Sequence, residues 1–279
     1  MDITSVTSFR RARTREDLML APRETLIAGG TWLMSEPQPG TTGFVDLTTM
    51  GWPALEVTRA GLRIGATCTI AEFVAWAQGR GSLRVPEAWA AASAVPDAAN
   101  ALLASFKVWN TATVGGNVCR AFAAGSMTAF LVTLDATAEV WRADGSAYEA
   151  DVADLVTGNG ENALAPGDVL RAIDVPAAAL RARAALRKIA LAEHGRSGAV
   201  VSGRLDEDGS CVLVVTAATR RPTVFRFAGI PDAATLAAAV HAAPGYYTDP
   251  LGAADWRRGV SGVLAERIRQ DLLEQGEGA

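Results

Sequence analysis

Two pairs of adjacent glycines interrupt apolar runs of this 279-residue chain, and they constrain its fold more than any other feature. The first pair lies in TLIAGGTWLM at 25–34 and the second in TATVGGNVCR at 111–120. Adjacent glycines after an apolar strand allow positive φ angles, and they lack the Cβ atoms that would keep a ligand at a distance. Successive N–H groups can then point to one side and hold an anion. The pairs therefore predict two loops that share one ligand, with ordinary turns as the alternative.

Neither pair matches the glycine patterns of the better-known nucleotide sites. Gly29-Gly30 and Gly115-Gly116 lack the third glycine of G-x-G-x-x-G, and no G-K-[ST] occurs. A backbone donor contributes about 1.5–3 kcal/mol toward a charged group, so four or five donors suffice for a pyrophosphate without any lysine or arginine. The spacing by itself leaves open whether the loops bind a ligand.

The composition excludes several classes of function. Lys and Arg number 26 against 30 Asp and Glu, so the net charge is −4 and gives no basic excess for nucleic acid. No apolar run approaches the ~20 residues of a membrane span, so we expect none. The odd number of widely separated cysteines fits a reducing cytoplasm, where we expect the protein. Cys68, Cys119 and Cys211 are widely separated and too few to supply the four ligands of an iron–sulfur cluster, and we predict no metal site.

The pattern of turns and apolar residues predicts an α+β chain. A hairpin at 57–68 precedes a capping box formed by Thr69 and Glu72, which starts a helix. A second hairpin has its turn at Asp144-Gly145. In the C-terminal part, strands come first and two helices follow. That order predicts a sheet covered by helices on one face.

The stretches LIAGGTWL and NTATVGGNVC resemble the two flavin loops of the FAD-binding medium subunits of molybdenum hydroxylases, the family of xanthine dehydrogenase and carbon monoxide dehydrogenase. DVLRAIDVP, ALRKIA and ADWRRGVSGVLAERI extend the resemblance over nearly the whole chain. It implies a two-part FAD-binding domain of the PCMH or vanillyl-alcohol-oxidase type at 1–165, with subdomains at about 1–55 and 56–165. It also implies a small C-terminal α+β domain with an antiparallel sheet at 166–279.

Carried over position by position, the resemblance implies residues that bind FAD noncovalently, and no catalytic acid or base. The first loop would wrap the pyrophosphate with backbone donors, and the second would form the other half of the cradle. Leu170 would pack near the isoalloxazine ring, and Lys188 would approach its pyrimidine end. The implied cofactor-binding residues are Ile27, Ala28, Gly29, Gly30, Thr31, Trp32, Leu33, Thr113, Gly115, Gly116, Asn117, Cys119, Ser126, Leu170 and Lys188.

The chain departs from the family pattern after G-G-N. Members usually continue with A-D-P-x-x-D, whereas this chain has AFAAGS at 121–126, so Phe122 and Ser126 replace both aspartates. The Ser126 hydroxyl would have to remake the flavin contact of the second aspartate. Trp109 stands where members often carry arginine. We expect Gly116 at a positive φ beside the pyrophosphate.

The resemblance also implies a role in electron transfer. The partners would be a small subunit with [2Fe–2S] clusters and a large subunit with the molybdenum cofactor, assembled as a dimer of heterotrimers. FAD on this chain would take electrons from the clusters and pass them to an external acceptor. Two alternatives stay open: a stand-alone flavin oxidoreductase of the same FAD fold, and an assembly subunit without flavin.

Overall fold

The computed structural model describes residues 4–101, 105–192 and 195–277 of the protein. The strands are β1 (Ser8–Arg11), β2 (Glu24–Ile27), β3 (Gly43–Asp46), β4 (Leu55–Val57), β5 (Gly61–Gly65), β6 (Thr137–Trp141), β7 (Ala147–Asp151), β8 (Val156–Gly158), β9 (Glu161–Asn162), β10 (Val169–Pro176), β11 (Arg183–Ile189), β12 (Ala199–Leu205), β13 (Cys211–Thr216) and β14 (Thr223–Phe227). The α-helices are α1 (Ile70–Ala77), α2 (Val95–Ala101), α3 (Phe106–Trp109), α4 (Val114–Arg120), α5 (Ser126–Thr133), α6 (Val152–Leu155), α7 (Ala177–Arg181), α8 (Ala233–Ala242) and α9 (Ala254–Glu277), with 3₁₀ turns at Glu16–Leu18 and Ala90–Ala94. None of the helices in these ranges combines the length and the apolar character that crossing a bilayer requires.

The first glycine pair follows a small parallel sheet. β1 and β2 both pair with β3 in parallel register, so β3 is the central strand and is buried at every residue. The guanidinium of Arg10 on β1 donates to the carboxylate of Glu24 on β2, with the shortest N–O distance at 2.8 Å, and so ties the two outer strands together. Because β2 ends at Ile27, the glycines leave the sheet at its carboxyl end.

Two predicted hairpins form the flanks of a five-stranded antiparallel sheet with the order β4-β5-β10-β6-β7. In the turn between β6 and β7, Gly145 has a φ of +88°, which is the positive φ that the Asp-Gly pair predicts. The predicted capping box is confirmed. Thr69 Oγ1 accepts from the N–H of Glu72 at 3.1 Å, and the Glu72 carboxylate accepts from the N–H of Thr69 at 2.8 Å. These local signals fix the residue at which α1 begins.

The pairing of β10 bears on the division of the chain into domains. The predicted boundary between 165 and 166 precedes β10. However, β10 lies between β5 and β6 in the five-stranded sheet, and the next sheet begins with β11. The change from one sheet to the next therefore occurs after β10, at α7. The division into two domains stays a prediction.

The C-terminal sheet is antiparallel, with the order β11-β12-β13-β14, and the predicted α+β class is confirmed. Its Val201 and Leu213 side chains face the core shared with α8 and α9. Val200 and Val214 face the opposite way, into the core that contains α5. The prediction of a cover on one face is therefore wrong, because the continuous apolar run of β13 is buried on both faces rather than alternating with polar residues.

A buried arginine ties the C-terminal sheet to the end of α5. Arg204 on β12 donates to the carboxylate of Asp135 at 2.6 Å and to the carbonyl of Thr133 at 2.7 Å. Arg226 on β14 donates to the other oxygen of Asp135, also at 2.6 Å. Burial by itself would raise the pKa of the Asp135 carboxyl, but the bonds from the two arginines outweigh burial and lower that pKa below 3.8.

Replacing Asp135 by Asn should lower the free energy of unfolding by about 2 kcal/mol at pH 7, because Arg204 then keeps only one of its two carboxylate partners, Asp206, and Arg226 loses its own. Asn also tolerates the left-handed backbone of this position, where φ is +49°. The lowered pKa means that the carboxylate stabilises the fold above about pH 4, and that this contribution is lost as the pH falls through the folded-state pKa. Urea unfolding should therefore show the difference between the two proteins shrinking below about pH 4.

The matched control is Glu149→Gln, which removes an exposed carboxylate from β7. It should change the free energy of unfolding by less than about 0.5 kcal/mol at either pH. A difference between wild type and Asp135→Asn that stays constant down to pH 3 would contradict the assigned role of the carboxylate.

Candidate functional site

The first glycine pair begins a loop with a run of N–H groups that have no acceptor among the described residues. The loop covers residues 28–33, and we call it loop 1. Gly30 has φ +65°, which turns the chain, and the N–H of Met34 closes the turn on the carbonyl of Gly30 at 2.8 Å. The N–H groups of residues 29–33 donate no hydrogen bond to any described residue. Loop 1 therefore has the free donors that an anion cradle needs.

Gly29 joins loop 1 to the segment that leads to the second glycine pair. A Cβ atom at position 29 would lie 1.9 Å from the carbonyl oxygen of Thr111 and 3.0 Å from Cα of Ala112. No other residue type fits there without moving the backbone of one segment. The structure thus brings the two predicted loops into direct contact, although about eighty residues separate them in sequence.

Unlike the first glycine pair, the second uses its N–H groups in hydrogen bonds within the protein. We call residues 111–117 loop 2; its last four residues form the start of α4. The N–H of Gly115 donates to the carbonyl of Ala66 at 3.1 Å, and the N–H of Gly116 donates to Thr113 Oγ1 at 3.0 Å. The expectation that this pair supplies free N–H donors is therefore wrong. A Cβ at Gly115 would lie 2.6 Å from the Cβ of Ala66, so this glycine lets α4 approach the end of β5.

Gly116 is helical rather than left-handed, so the expected positive φ is wrong. Its amide needs helical geometry to bond the Thr113 side chain, which is the N-cap of α4. The residue is exposed, and within 4 Å a Cβ would meet Thr113 Oγ1 alone among the described atoms. Gly116 therefore leaves a bare surface beside loop 1.

The predicted residues Asn117 and Ser126 lie together where α4 meets α5. Asn117 Oδ1 accepts from the N–H of Met127 at 3.1 Å and so caps the start of α5. Ser126 is completely buried, and its Oγ has no hydrogen-bond partner among the described residues. The buried hydroxyls of Thr128 and Thr216 are likewise without a partner in the described part of the chain. Buried hydroxyls are normally bonded, so these groups are suited to a polar ligand.

The side chains of Cys119 and Leu170 pack in or against the main hydrophobic core. Burial raises the pKa of the Cys119 thiol to about 12, so the sulfur stays protonated. Leu170 on β10 is 3% exposed and belongs to the main core, opposite Val140 of β6. Their roles toward a cofactor stay predictions.

Lys188 lies on the C-terminal sheet, at its β11 edge. Its Nζ donates to the carbonyl of Asn100 at 2.8 Å. Lys188 pairs with Val200, which pairs with Thr216, so the three residues share the face that looks toward α5. Directly after Thr216, the N–H of Ala217 donates to the carbonyl of Ala123 at 2.6 Å. The sheet face with Lys188 is thereby attached to the segment that contains Ser126.

Trp32 of loop 1 belongs to an aromatic and cationic cluster whose other two members, Arg120 and Phe122, are absent from the predicted set. The guanidinium carbon of Arg120 lies 3.6 Å from the ring centre of Trp32 and 4.4 Å from that of Phe122. The two rings also meet edge to face at 6.3 Å. We call these three residues the Arg120 stack. Sequence reasoning noted Phe122 as a departure from A-D-P-x-x-D, but nothing in the spacing linked it to a cation two residues earlier.

Comparison with known families shows which family the chain belongs to. Residues 6–178, well over half of the chain, match the family described as the FAD binding domain in molybdopterin dehydrogenase. The chain belongs to this family. FAD is therefore its cofactor, and the resemblance of the two glycine loops is confirmed at the level of the family.

Solved structures show the same fold over nearly the whole chain. A chain of quinoline 2-oxidoreductase from Pseudomonas putida 86 matches with a TM-score of 0.81 and 20% identity, over 100% of this chain and 99% of that one. A chain of reconstituted CO dehydrogenase from Oligotropha carboxidovorans gives 0.81 and 20%, over 97% and 98%. A CO dehydrogenase chain from Hydrogenophaga pseudoflava, in a form that lacks the Mo-pyranopterin moiety, gives 0.77 and 16%, over 94% and 96%. A search of curated protein sequences gives no match.

The residues of the site fit the FAD of this family. Loop 1 presents consecutive free N–H groups, which suit a pyrophosphate. Ser126, which replaces an aspartate of the family pattern, has a buried hydroxyl that lacks a partner among the described residues. Bare backbone at Gly116 leaves room for close approach. The contribution of each predicted residue to FAD binding stays a prediction.

Two alanine substitutions should separate the tasks of the glycine pairs. Gly29→Ala forces a methyl group into the carbonyl of Thr111, so we expect a loss of about 3 kcal/mol or more in folding stability together with the loss of FAD. Gly116→Ala should leave the melting temperature close to that of wild type, because the preference of a helix for alanine over glycine, about 0.5–1 kcal/mol, is offset by the methyl group lying 2.8 Å from the capping Thr113 Oγ1. Its FAD occupancy should nevertheless fall, because the methyl group enters the surface that FAD approaches.

Thermal unfolding followed by circular dichroism, with flavin content measured per chain, checks both variants. Full FAD occupancy in Gly116→Ala would show that FAD does not approach this surface. A Gly29→Ala protein with wild-type stability would contradict the contact between the loops.

Proposed function

We propose that this chain is the FAD-carrying electron-transfer subunit of a heteromeric molybdenum hydroxylase. In this role it takes electrons from [2Fe–2S] clusters of a partner subunit and passes them to an external acceptor. The observation that carries the proposal is that the two joined glycine loops lie in a chain of the molybdopterin dehydrogenase FAD family. Further support comes from the fold, which is similar from end to end to chains of quinoline 2-oxidoreductase and CO dehydrogenase.

The chemistry of the site suits electron transfer. Bound FAD supplies a centre that exchanges electrons. The N–H groups of loop 1 would bind its pyrophosphate, and the Ser126 hydroxyl would donate to the ring in place of the family's aspartate. Lys188 uses one of its three ammonium protons on Asn100 and would place its positive charge near the ring, where it favours added negative charge.

The iron–sulfur clusters and the molybdenum cofactor are assigned to partner subunits. Cluster ligands are cysteine thiolates. Here burial raises the pKa of all three thiols: that of Cys119 to about 12, that of Cys211 to about 11, and that of Cys68 still further. They are also free of disulfides, which suits a reducing cytoplasm. We propose a small [2Fe–2S] subunit and a large molybdenum subunit, in a dimer of heterotrimers.

The chain should hold FAD noncovalently, at about one molecule per chain, because the groups that we expect to face the cofactor are backbone amides, hydroxyls and the Lys188 ammonium, and burial keeps the Cys119 thiol protonated. Acid precipitation of the purified protein should release all of the flavin into the supernatant. Yellow colour that stays with the pellet would contradict noncovalent binding, and a colourless native protein would favour the assembly subunit without flavin.

Purified from its native host, the chain should co-elute with a cluster-bearing subunit and a large subunit. The substrate of the complex should bleach the flavin absorbance of the complex under anaerobic conditions. The same substrate should leave the isolated, FAD-loaded chain oxidised, because the electrons must arrive through the partner. Full substrate turnover by the isolated chain would instead establish the stand-alone flavin oxidoreductase.

A further inference from the structure

The Arg120 stack holds a cation at the edge of loop 1. Arg120 is in the last turn of α4, and its guanidinium lies in the corner formed by the edge-to-face rings of Trp32 and Phe122. Trp32 follows Gly29-Gly30-Thr31 directly, so the stack attaches the free N–H groups of loop 1 to α4. Stacking on two rings holds a planar cation in one orientation.

This cation lacks an anion within the described residues. No carboxylate of the described ranges lies within 4 Å of the Arg120 guanidinium, and no described oxygen accepts a hydrogen bond from it. Its Nε is buried without a partner in those ranges. Burial lowers the pKa of the Arg120 side chain, which shows that the surroundings disfavour the charged form. Arg63, which is also half-buried, has carboxylate partners in Glu139 and Asp174. Arg171 lies over the rings of Trp52 and Trp141 and has no carboxylate partner among the described residues, so the position of Arg120 beside loop 1 is what distinguishes it.

Two independent features beside Trp32 are therefore suited to the same kind of ligand, an anion. Among the described residues, the N–H donors of loop 1 have no acceptors and the partly desolvated positive charge of Arg120 has no counterion. An anion that bonds both would satisfy all of these groups at once. The pyrophosphate of FAD carries two negative charges and is the anionic part of the cofactor of this family.

We propose that Arg120 binds the pyrophosphate of FAD, with the rings of Trp32 and Phe122 holding its guanidinium in the binding position. The sequence expectation was a cradle of backbone donors without lysine or arginine, and Arg120 adds a full charge to it. Phe122 thus takes over a supporting task at a position where the family pattern has an aspartate. The inference depends on FAD binding, which the family assignment gives, and not on the proposed transfer of electrons.

The test compares Arg120→Gln with wild type in the full chain after removal of flavin. FAD should bind Arg120→Gln about 10- to 100-fold more weakly, the range expected for one lost charged hydrogen bond. Riboflavin, which has the ring and no phosphate, should bind both proteins equally. The FAD affinity of wild type should also fall more steeply with salt than that of the variant. The dissociation constants are measured by quenching of flavin fluorescence, with folding checked by circular dichroism.

The matched control is Arg142→Gln. Arg142 also stacks on a ring, that of Tyr148 at 4.5 Å, but it lies in the hairpin of β6 and β7 away from loop 1. The control should bind FAD as wild type does. An unchanged FAD affinity in Arg120→Gln would overturn the proposal. An equal loss of FAD and riboflavin would also overturn it, because the stack would then be a packing element.

A measurement on the wild-type chain keeps the proposal testable if Arg120→Gln does not fold. Phenylglyoxal modifies accessible arginine side chains, and peptide mass spectrometry locates the modified residues. ADP, which carries a pyrophosphate, should protect Arg120 in the flavin-free chain, whereas adenosine should not. Arg142 should be modified equally in every sample. Modification of Arg120 that ADP does not reduce would refute the assignment.

Discussion

The site depends on a contact between two backbones that leaves no space for a side chain. Gly29 lies against the carbonyl of Thr111, and Gly115 lies against Ala66 at the end of β5. Through these two contacts, loop 1, loop 2 and the five-stranded sheet are fixed relative to one another without a bridging side chain. This arrangement fixes the positions of the N–H groups of loop 1 and of the Arg120 stack. Gly29 and Gly115 therefore matter because they allow close packing, and not only because glycine can form turns.

Features that depend on neighbours in sequence could be predicted. The capping box of Thr69 and Glu72 and the turn at Asp144-Gly145 formed as expected, because their partners lie within a few residues and their geometry follows from local propensity. The pairing of β10 between β5 and β6 was not predictable in the same way, since β5 lies about 110 residues and β6 about 30 residues before β10. The sequence pattern identified the strand but carried no signal for its partners.

The candidate site shows the same limit on a smaller scale. Both glycine pairs were found from sequence, yet they looked equivalent, and the structure gives them different tasks. Whether the N–H of Gly116 is free depends on the Thr113 side chain that bonds it, and Asn117 is a cap for α5 as well as a predicted ligand residue. The Arg120 stack needs Trp32 to arrive from a distant loop, so no spacing rule indicates it.

The burial of α5 has a consequence for the order of events during synthesis. All eight residues of α5 are buried, and the helix contacts β12 and β13 on one side and α2 and α4 on the other. The segment that matches the FAD family ends at 178, before either of those strands has been made. A nascent chain that emerges from the ribosome up to that point has every residue of the family segment, but one side of α5 still faces water. The segment that matches the family therefore ends before the strands that complete its packing. The flavin-binding part reaches its final packing only after β12 and β13 have been synthesised.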